Sequence, residues 1–220
     1  MEMPGHARMK KPASAVHIVD DDASFRSAMG ELLTACGYRV SLYETAKDLL
    51  DTSLNGGPAC ILLDVYMAGL SGPQLQEQLS SLGCRLPIVF MSSHGDIPTT
   101  VRTIKAGAED FLTKPVAKEK LLAAVERALA HHRAIQEYDN KLSVLRSLYT
   151  GLTAREREVF FLLVKGKPHK QIAYELEISD RTVRLHRHQI VQKLGVRSLA
   201  ELAVIAERLG LLPSEQNSRP

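Results

Sequence analysis

The sequence predicts a doubly wound α/β domain on a five-stranded parallel sheet, followed by a long linker helix and an all-α domain containing a helix-turn-helix. Three observations predict it. Five short runs rich in β-branched residues recur at regular intervals and alternate with amphipathic stretches. The runs are apolar almost throughout, as strands covered on both faces must be. After Lys114-Pro115 the strand pattern ends and everything downstream reads as helix.

The strand runs are residues 15–19, 39–43, 60–63, 88–91 and 110–112, and the amphipathic stretches between them are residues 24–36, 46–54, 73–82 and 99–106. Gly37, Gly83 and Gly107 each follow a helical stretch, where a left-handed residue closes the last turn. Residues 116–150 contain neither Gly nor Pro. Leu121, Ala124, Ala128, His131, Ile135, Tyr138, Leu142, Leu145 and Tyr149 recur there at alternate spacings of three and four, a heptad-like seam. Such a helix either packs on the first domain and continues as a solvated linker, or pairs with its copy in a dimer. Beyond it, Thr153 and Glu156 form a capping box opening a helix to Val164, and Gly166 to Pro168 break it. A short helix over 170–176, a turn, a helix N-capped by Ser179 running to Leu194, and a last helix over 198–209 complete the pattern. The expected boundaries are 14–130 for the first domain, 131–150 for the linker and 151–212 for the second domain. Residues 1–13 and 213–220 read as frayed tails.

Charge separates the halves. Residues 15–130 carry 10 Lys+Arg against 14 Asp+Glu, a net of −4, whereas residues 151–212 carry 11 against 7, a net of +4. A basic all-helical domain suits nucleic acid. No apolar run approaches the roughly 20 residues needed to cross a bilayer, and the first residues lack a signal-peptide core, so no membrane is expected and the location is expected to be cytoplasmic. Cys36, Cys60 and Cys84 are odd in number and widely spaced, which fits free thiols better than a disulfide framework or metal site.

In a doubly wound sheet, the residues just after each strand converge at the carboxyl edge. Here they are Asp20, Asp21 and Asp22 after the first strand, Asp64 after the third, Ser92 after the fourth and Lys114 after the fifth. Gathering acids costs energy unless a cation holds them, and a hard divalent ion such as Mg2+ takes carboxylate and carbonyl oxygens while leaving room for phosphate. An Asp carboxylate so placed can attack phosphorus and form an acyl phosphate. Asp64, alone on the central strand, is the best nucleophile, and Asp20 and Asp21 read better as metal ligands.

Val19-Asp-Asp-Asp22, Leu63-Asp-Val-Tyr-Met67, Phe90-Met-Ser92 and Asp110-Phe-Leu-Thr-Lys-Pro115 resemble the receiver domain of two-component response regulators, a flavodoxin-like fold, over roughly residues 14–130. The resemblance implies that Asp64 is the phosphoacceptor and that Asp20, Asp21, Asp64 and the Tyr66 carbonyl hold Mg2+. It also implies that Ser92 and Lys114 contact the phosphoryl group, and that Phe111 is the aromatic that turns inward with the switch. Two departures stand out: Met67-Ala-Gly69 where the family commonly has Met-Pro-Gly, and the bulky Tyr66 at the mouth of the site.

On a helical wheel of residues 179–194, Val183, Ile190 and Leu194 form an apolar stripe, opposite Arg181, Arg184, Leu185, His188, Gln189 and Gln192. With the short helix and tight turn before it, this is the spacing of a helix-turn-helix whose second helix enters the major groove. Leu152-Thr-Ala-Arg-Glu-Arg-Glu158, Lys170-Gln-Ile-Ala173, Thr182-Val-Arg-Leu-His-Arg-His188 and Lys193-Leu-Gly-Val-Arg-Ser198 resemble the LuxR-type DNA-binding domain, and the whole chain resembles FixJ/NarL response regulators. That resemblance implies base contacts from Arg184, Leu185 and His188, and phosphate contacts from Lys170, Thr182 and Lys193. The partners it implies are a cognate sensor histidine kinase, double-stranded operator DNA, RNA polymerase and, on phosphorylation, a second copy of the chain.

The chain is not expected to be an enzyme. The chief rival reading is a haloacid-dehalogenase-like phosphatase, because Asp20-Asp-Asp22-Ala-Ser24 fits the Asp-x-Asp-x-Ser/Thr pattern with Asp20 as nucleophile. A second rival is a transcription factor that ignores phosphorylation.

Overall fold

The structure is a computed structural model that describes residues 14–54, 56–93 and 97–212 of the 220; the tails expected at 1–13 and 213–220 lie outside them. Among the described residues the chain forms β1 (Ala15–Val19), α1 (Ala23–Ala35), β2 (Arg39–Tyr43), α2 (Ala46–Leu50), β3 (Ala59–Asp64), α3 (Gly72–Ser81), β4 (Ile88–Ser92), α4 (Ile97–Lys105) and β5 (Asp110–Thr113). There follow α5 (Lys118–Thr150), α6 (Ala154–Val164), α7 (His169–Glu175), α8 (Asp180–Leu194) and α9 (Leu199–Arg208). The chain divides into two compact units between Gln136 and Glu137.

In the first unit all five strands are parallel, in the order β2-β1-β3-β4-β5. Side chains alternate between the faces of a strand, so β3 divides its apolar residues between two cores. Cys60 and Leu62 join Leu33 of α1 and Leu121, Val125 and Leu129 of α5; Ile61 and Leu63 join Leu49 of α2 and Leu75 and Leu79 of α3. Burial on both faces is why β1, β3 and β4 read as nearly continuous apolar runs, whereas β2, at the sheet's edge, exposes Arg39, Ser41 and Leu42. Gly37, Gly83 and Gly107 take positive φ as expected at helix ends.

Packing accounts for the two ends of the seam on α5. Leu121, Ala124 and Ala128 lie in the first unit's core, whereas His131 is exposed and pairs with Glu109 at 2.6 Å. The first turns of the seam therefore have no free edge for a second copy. Leu145 and Tyr149 pack instead on the second unit's core. The first unit also runs past the expected boundary at 130. His132 is buried and its Nδ1 accepts a hydrogen bond from the Ala59 amide (2.9 Å), and Gln136 donates to the Gly56 carbonyl (3.1 Å). Burial lowers the pKa of His132, helped by His131, and the lone pair that accepts from the Ala59 amide belongs to the neutral imidazole.

The second unit is helical, with Val159, Phe160 and Leu163 of α6, Ile172 of α7, Val183, Ile190 and Leu194 of α8 and Leu202 and Ile205 of α9 in one core. The Thr153 capping box forms, and Ser179 and Ser198 cap α8 and α9.

Candidate functional sites

Parallel register carries the chemistry of the first unit to one edge of its sheet. Val19 lies opposite Leu63, Asp64 opposite Met91 and Ser92 opposite Thr113, so the residues that end or follow β1, β3, β4 and β5 emerge together. Asp20 is fully buried and Asp64 nearly so; one oxygen from each of Asp20, Asp21 and Asp64 lies within 4.8 Å of the others. Lys114 Nζ sits 2.6 Å from Asp20 Oδ2, 3.3 Å from Asp64 Oδ2 and 4.2 Å from the centre of the Phe25 ring. Three carboxylates against one ammonium leave the cluster short of positive charge. Burial raises the pKa of Asp64 above its ordinary 3.8; Lys114 offsets part of this and Asp20 adds to it. Oxygen donors alone, close together and short of positive charge, fit a hard divalent cation such as Mg2+.

Several positioning residues were not read from the sequence. Asp22 caps α1, accepting from the amides of Ser24 and Phe25, which leaves Asp20 and Asp21 for a metal. That role carried a signal, since Asp immediately before an amphipathic run is a preferred N-cap. Arg26 Nη1 donates to the Asp20 carbonyl at 2.5 Å, and the Ala68 amide donates to Asp21 Oδ2 at 3.1 Å. Gly72, which opens α3, has no room for a side chain, because a Cβ there would meet the Asp64 carbonyl oxygen at 2.2 Å. No local pattern announces that approach.

An open depression of about 570 Å3 over the cluster is lined by Asp21, Asp22, Asp64, Tyr66, Ser93 and Lys114. Ser92 is fully buried, so the lining serine is its neighbour. Tyr66 is 51% exposed at the mouth, as its place two residues after Asp64 suggested. Phe111 is half-buried and stacked on Phe90, with ring centres 6.4 Å apart.

In the second unit α7, a turn and α8 make the helix-turn-helix. Glu177 takes φ 52° in the turn, and Arg155 donates to the Leu176 carbonyl beside it. Val183, Ile190 and Leu194 of α8 are buried, whereas Arg181, Arg184, Leu185 and His188 are exposed, dividing the wheel as expected. Lys170 is exposed, and Thr182 Oγ1 lies 2.8 Å from Ser179 Oγ. Arg184 Nε donates to Asp180 at 2.8 Å, a surface i,i+4 pair that a stronger ligand can displace. Lys193 departs most from expectation. Its Nζ sits 2.6 and 2.8 Å from the two oxygens of Glu156, which is buried on α6 and also closes the Thr153 capping box. Burial alone would raise the pKa of Glu156, but the Lys193 and Thr153 hydrogen bonds hold it below the ordinary 4.5. The Lys193 charge is thus already neutralised within the fold.

A parallel sheet of this order with its acids at the carboxyl edge makes the first unit a doubly wound α/β domain fitted for a cation and phosphate, and the helix-turn-helix that follows has the form of a DNA-binding domain. The sequence profile of the response regulator receiver domain matches residues 16–126, and that of the bacterial regulatory proteins of the luxR family matches residues 150–206. The chain is 40% identical to the response regulator protein TmoT of Ectopseudomonas mendocina over 93% of both chains. It is 36% identical to the transcriptional regulatory protein FixJ of Azorhizobium caulinodans over 91% of this chain and 95% of that one. Among solved structures, the response regulator StyR is similar with a TM-score of 0.79 and 42% identity, over 89% of this chain and 99% of that one. Full-length FixJ from B. japonicum is similar with a TM-score of 0.55 and 33% identity, over 90% of this chain and 98% of that one. The chain belongs to the DNA-binding two-component response regulators that join a receiver to a LuxR-type domain. The receiver implies a phosphodonor from a sensor kinase, and the second domain implies DNA as its partner. No described helix is long and apolar enough to cross a membrane.

Proposed function

We propose that Asp64 accepts a phosphoryl group from a phosphohistidine of a cytoplasmic sensor kinase domain and that this controls DNA binding by α8. The observation that carries the reading is the placement of Asp64 between two further carboxylates and Lys114 at one sheet edge. A carboxylate oxygen of Asp64 forms the new P–O bond as the P–N bond to imidazole breaks. Lys114 faces both Asp64 and Asp20 and stabilises charge on the transferring group. Asp20, Asp21, Asp64 and the Tyr66 carbonyl would hold Mg2+, which supplies the remaining positive charge. Ser92, buried beside the site, moves its hydroxyl to a phosphoryl oxygen, and Phe111 follows into the space vacated. The reshaped face beside β5 then pairs two receivers, and two linked DNA-binding domains engage two half-sites, raising affinity without new protein–DNA contacts. RNA polymerase reads the result. The chain is a phosphoacceptor and not a turnover enzyme; Asp20, fully buried and bonded to Lys114 and the Asp22 amide, is poorly placed as a phosphatase nucleophile.

Treatment with acetyl phosphate and Mg2+ followed by mapping of the acyl phosphate tests this. Asp64 should carry it, and Asp64→Asn should abolish incorporation while leaving the fold intact. Label on Asp20 would install the phosphatase reading, and no label on the wild-type chain would install a phosphorylation-independent factor.

A further inference from the structure

Beside the exposed face of α8 lies a second depression, of about 460 Å3, lined by His169, Arg184, Arg187, His188, Val191 and Arg197. Its basic side chains come from three places: His169 from the start of α7, Arg184, Arg187 and His188 from α8, and Arg197 from the segment between α8 and α9. Arg184 is held by Asp180. Among the described residues, neither Arg187 nor Arg197 has a carboxylate within ion-pair distance of its guanidinium. Glu201, the nearest acid to Arg197 in sequence, caps the Ser198 turn through the Arg197 amide and the Ser198 hydroxyl. Arg187 is moreover half-buried. A concave site that gathers guanidinium groups from separate elements and leaves two of them, Arg187 and Arg197, without a counter-charge among the described residues is built for an anion from outside the chain.

We propose that Arg187, Arg197 and His169 form the seat of one DNA backbone phosphate at the flank of α8, a contact that the resemblance had given to Lys193. The inference rests on the DNA-binding reading of α8. Arg187 adjoins the exposed row of Arg184 and His188 on the same helix, whereas His169 and Arg197 lie off it, so a group filling the depression bridges α8 to its neighbours. A strand backbone running past an inserted helix does this; a base edge inside the groove does not. Arginine's planar fork matches two phosphate oxygens at once, which a neutralised Lys193 cannot.

Counterion release makes the count of phosphate contacts measurable. The slope of log affinity against log salt changes by about 0.9 for each phosphate neutralised on B-form DNA. The probe is a fluorescently labelled duplex of random sequence, titrated with the full chain at several salt concentrations. Arg187→Gln and Arg197→Gln should each flatten the slope and weaken binding at every salt concentration, and Arg187→Lys should restore most of the slope. Lys120→Gln, at an exposed position of α5 in the first unit, should leave it unchanged. Melting curves matching wild type establish that the variants fold. A full slope in both Arg→Gln variants, with the loss appearing instead in Lys193→Gln, overturns the proposal while leaving DNA binding in place. A wild-type chain that does not bind the duplex at all overturns both readings.

Discussion

Each unit of this protein contains one lysine held against a buried carboxylate, and the two pairs are built for opposite ends. Lys114 faces Asp20 and Asp64 with Asp21 close by, so one cation serves three acids and the site remains electrically incomplete. Lys193 faces Glu156 alone, through both oxygens, and Glu156 also closes a helix cap. The second site is complete as it stands. Incomplete neutralisation marks a place where something charged is still to arrive; complete neutralisation marks a strut. By the same measure Arg187 and Arg197, without a carboxylate partner among the described residues, belong with Lys114 and not with their neighbour Lys193.

Removing the lysine from each pair should separate the two cases. Lys114→Met leaves Asp20 and Asp64 facing each other without a cation, and breaking such a buried pair typically destabilises by about 3 to 5 kcal/mol. The loss should show as a lower urea midpoint, and millimolar Mg2+ should recover a large part of it, because the metal supplies the missing charge. A midpoint indifferent to Mg2+ would mean that the acids are not arranged for a cation. Glu156→Gln in the second unit should cost less, about 1 to 2 kcal/mol, since the amide oxygen can still accept from Thr153 and Lys193 is 41% exposed to solvent. Mg2+ should not change that result. Because the pKa of Glu156 is held below 4.5, the stabilisation it provides is present above that value and is lost as pH falls through the lowered one. The variant should therefore lose that part of the acid sensitivity.

The smallest effect concerns His132, where α5 meets the start of β3. Its pKa lies below 6.5, so its contribution to stability is present above 6.5 and declines as pH falls through that value toward the lowered one. His132→Asn keeps an acceptor for the Ala59 amide without a titrating group. Urea midpoints from pH 7 to 5 should fall less steeply for it than for wild type, by no more than about 1 kcal/mol over the range. His17, also lowered by burial and by Arg39, should account for part of the slope that remains.

How far the sequence reached differs between local and tertiary features. The strands were legible to within a residue or two because short, β-branched-rich runs recur between amphipathic stretches, most plainly in β1, β3 and β4, which are buried on both faces. The helix caps at Thr153 and Ser179 were legible because capping is a contact between residues three apart. The set Asp20, Asp21, Asp64 and Lys114 was legible because parallel topology fixes where strand ends meet. The seam on α5 left two readings open, since spacing of three and four reports that a face is buried and not what buries it. Gly72 against the Asp64 carbonyl, Arg26 on the Asp20 carbonyl and Glu156 under Lys193 left no mark at all. The sequence by itself determined the elements, their order and the chemistry available at the strand ends, all of which depend on short-range pattern and on chain connectivity. Only the tertiary structure decided which charges are neutralised, because two groups 37 residues apart, such as Glu156 and Lys193, meet only when α6 and α8 close on a common core.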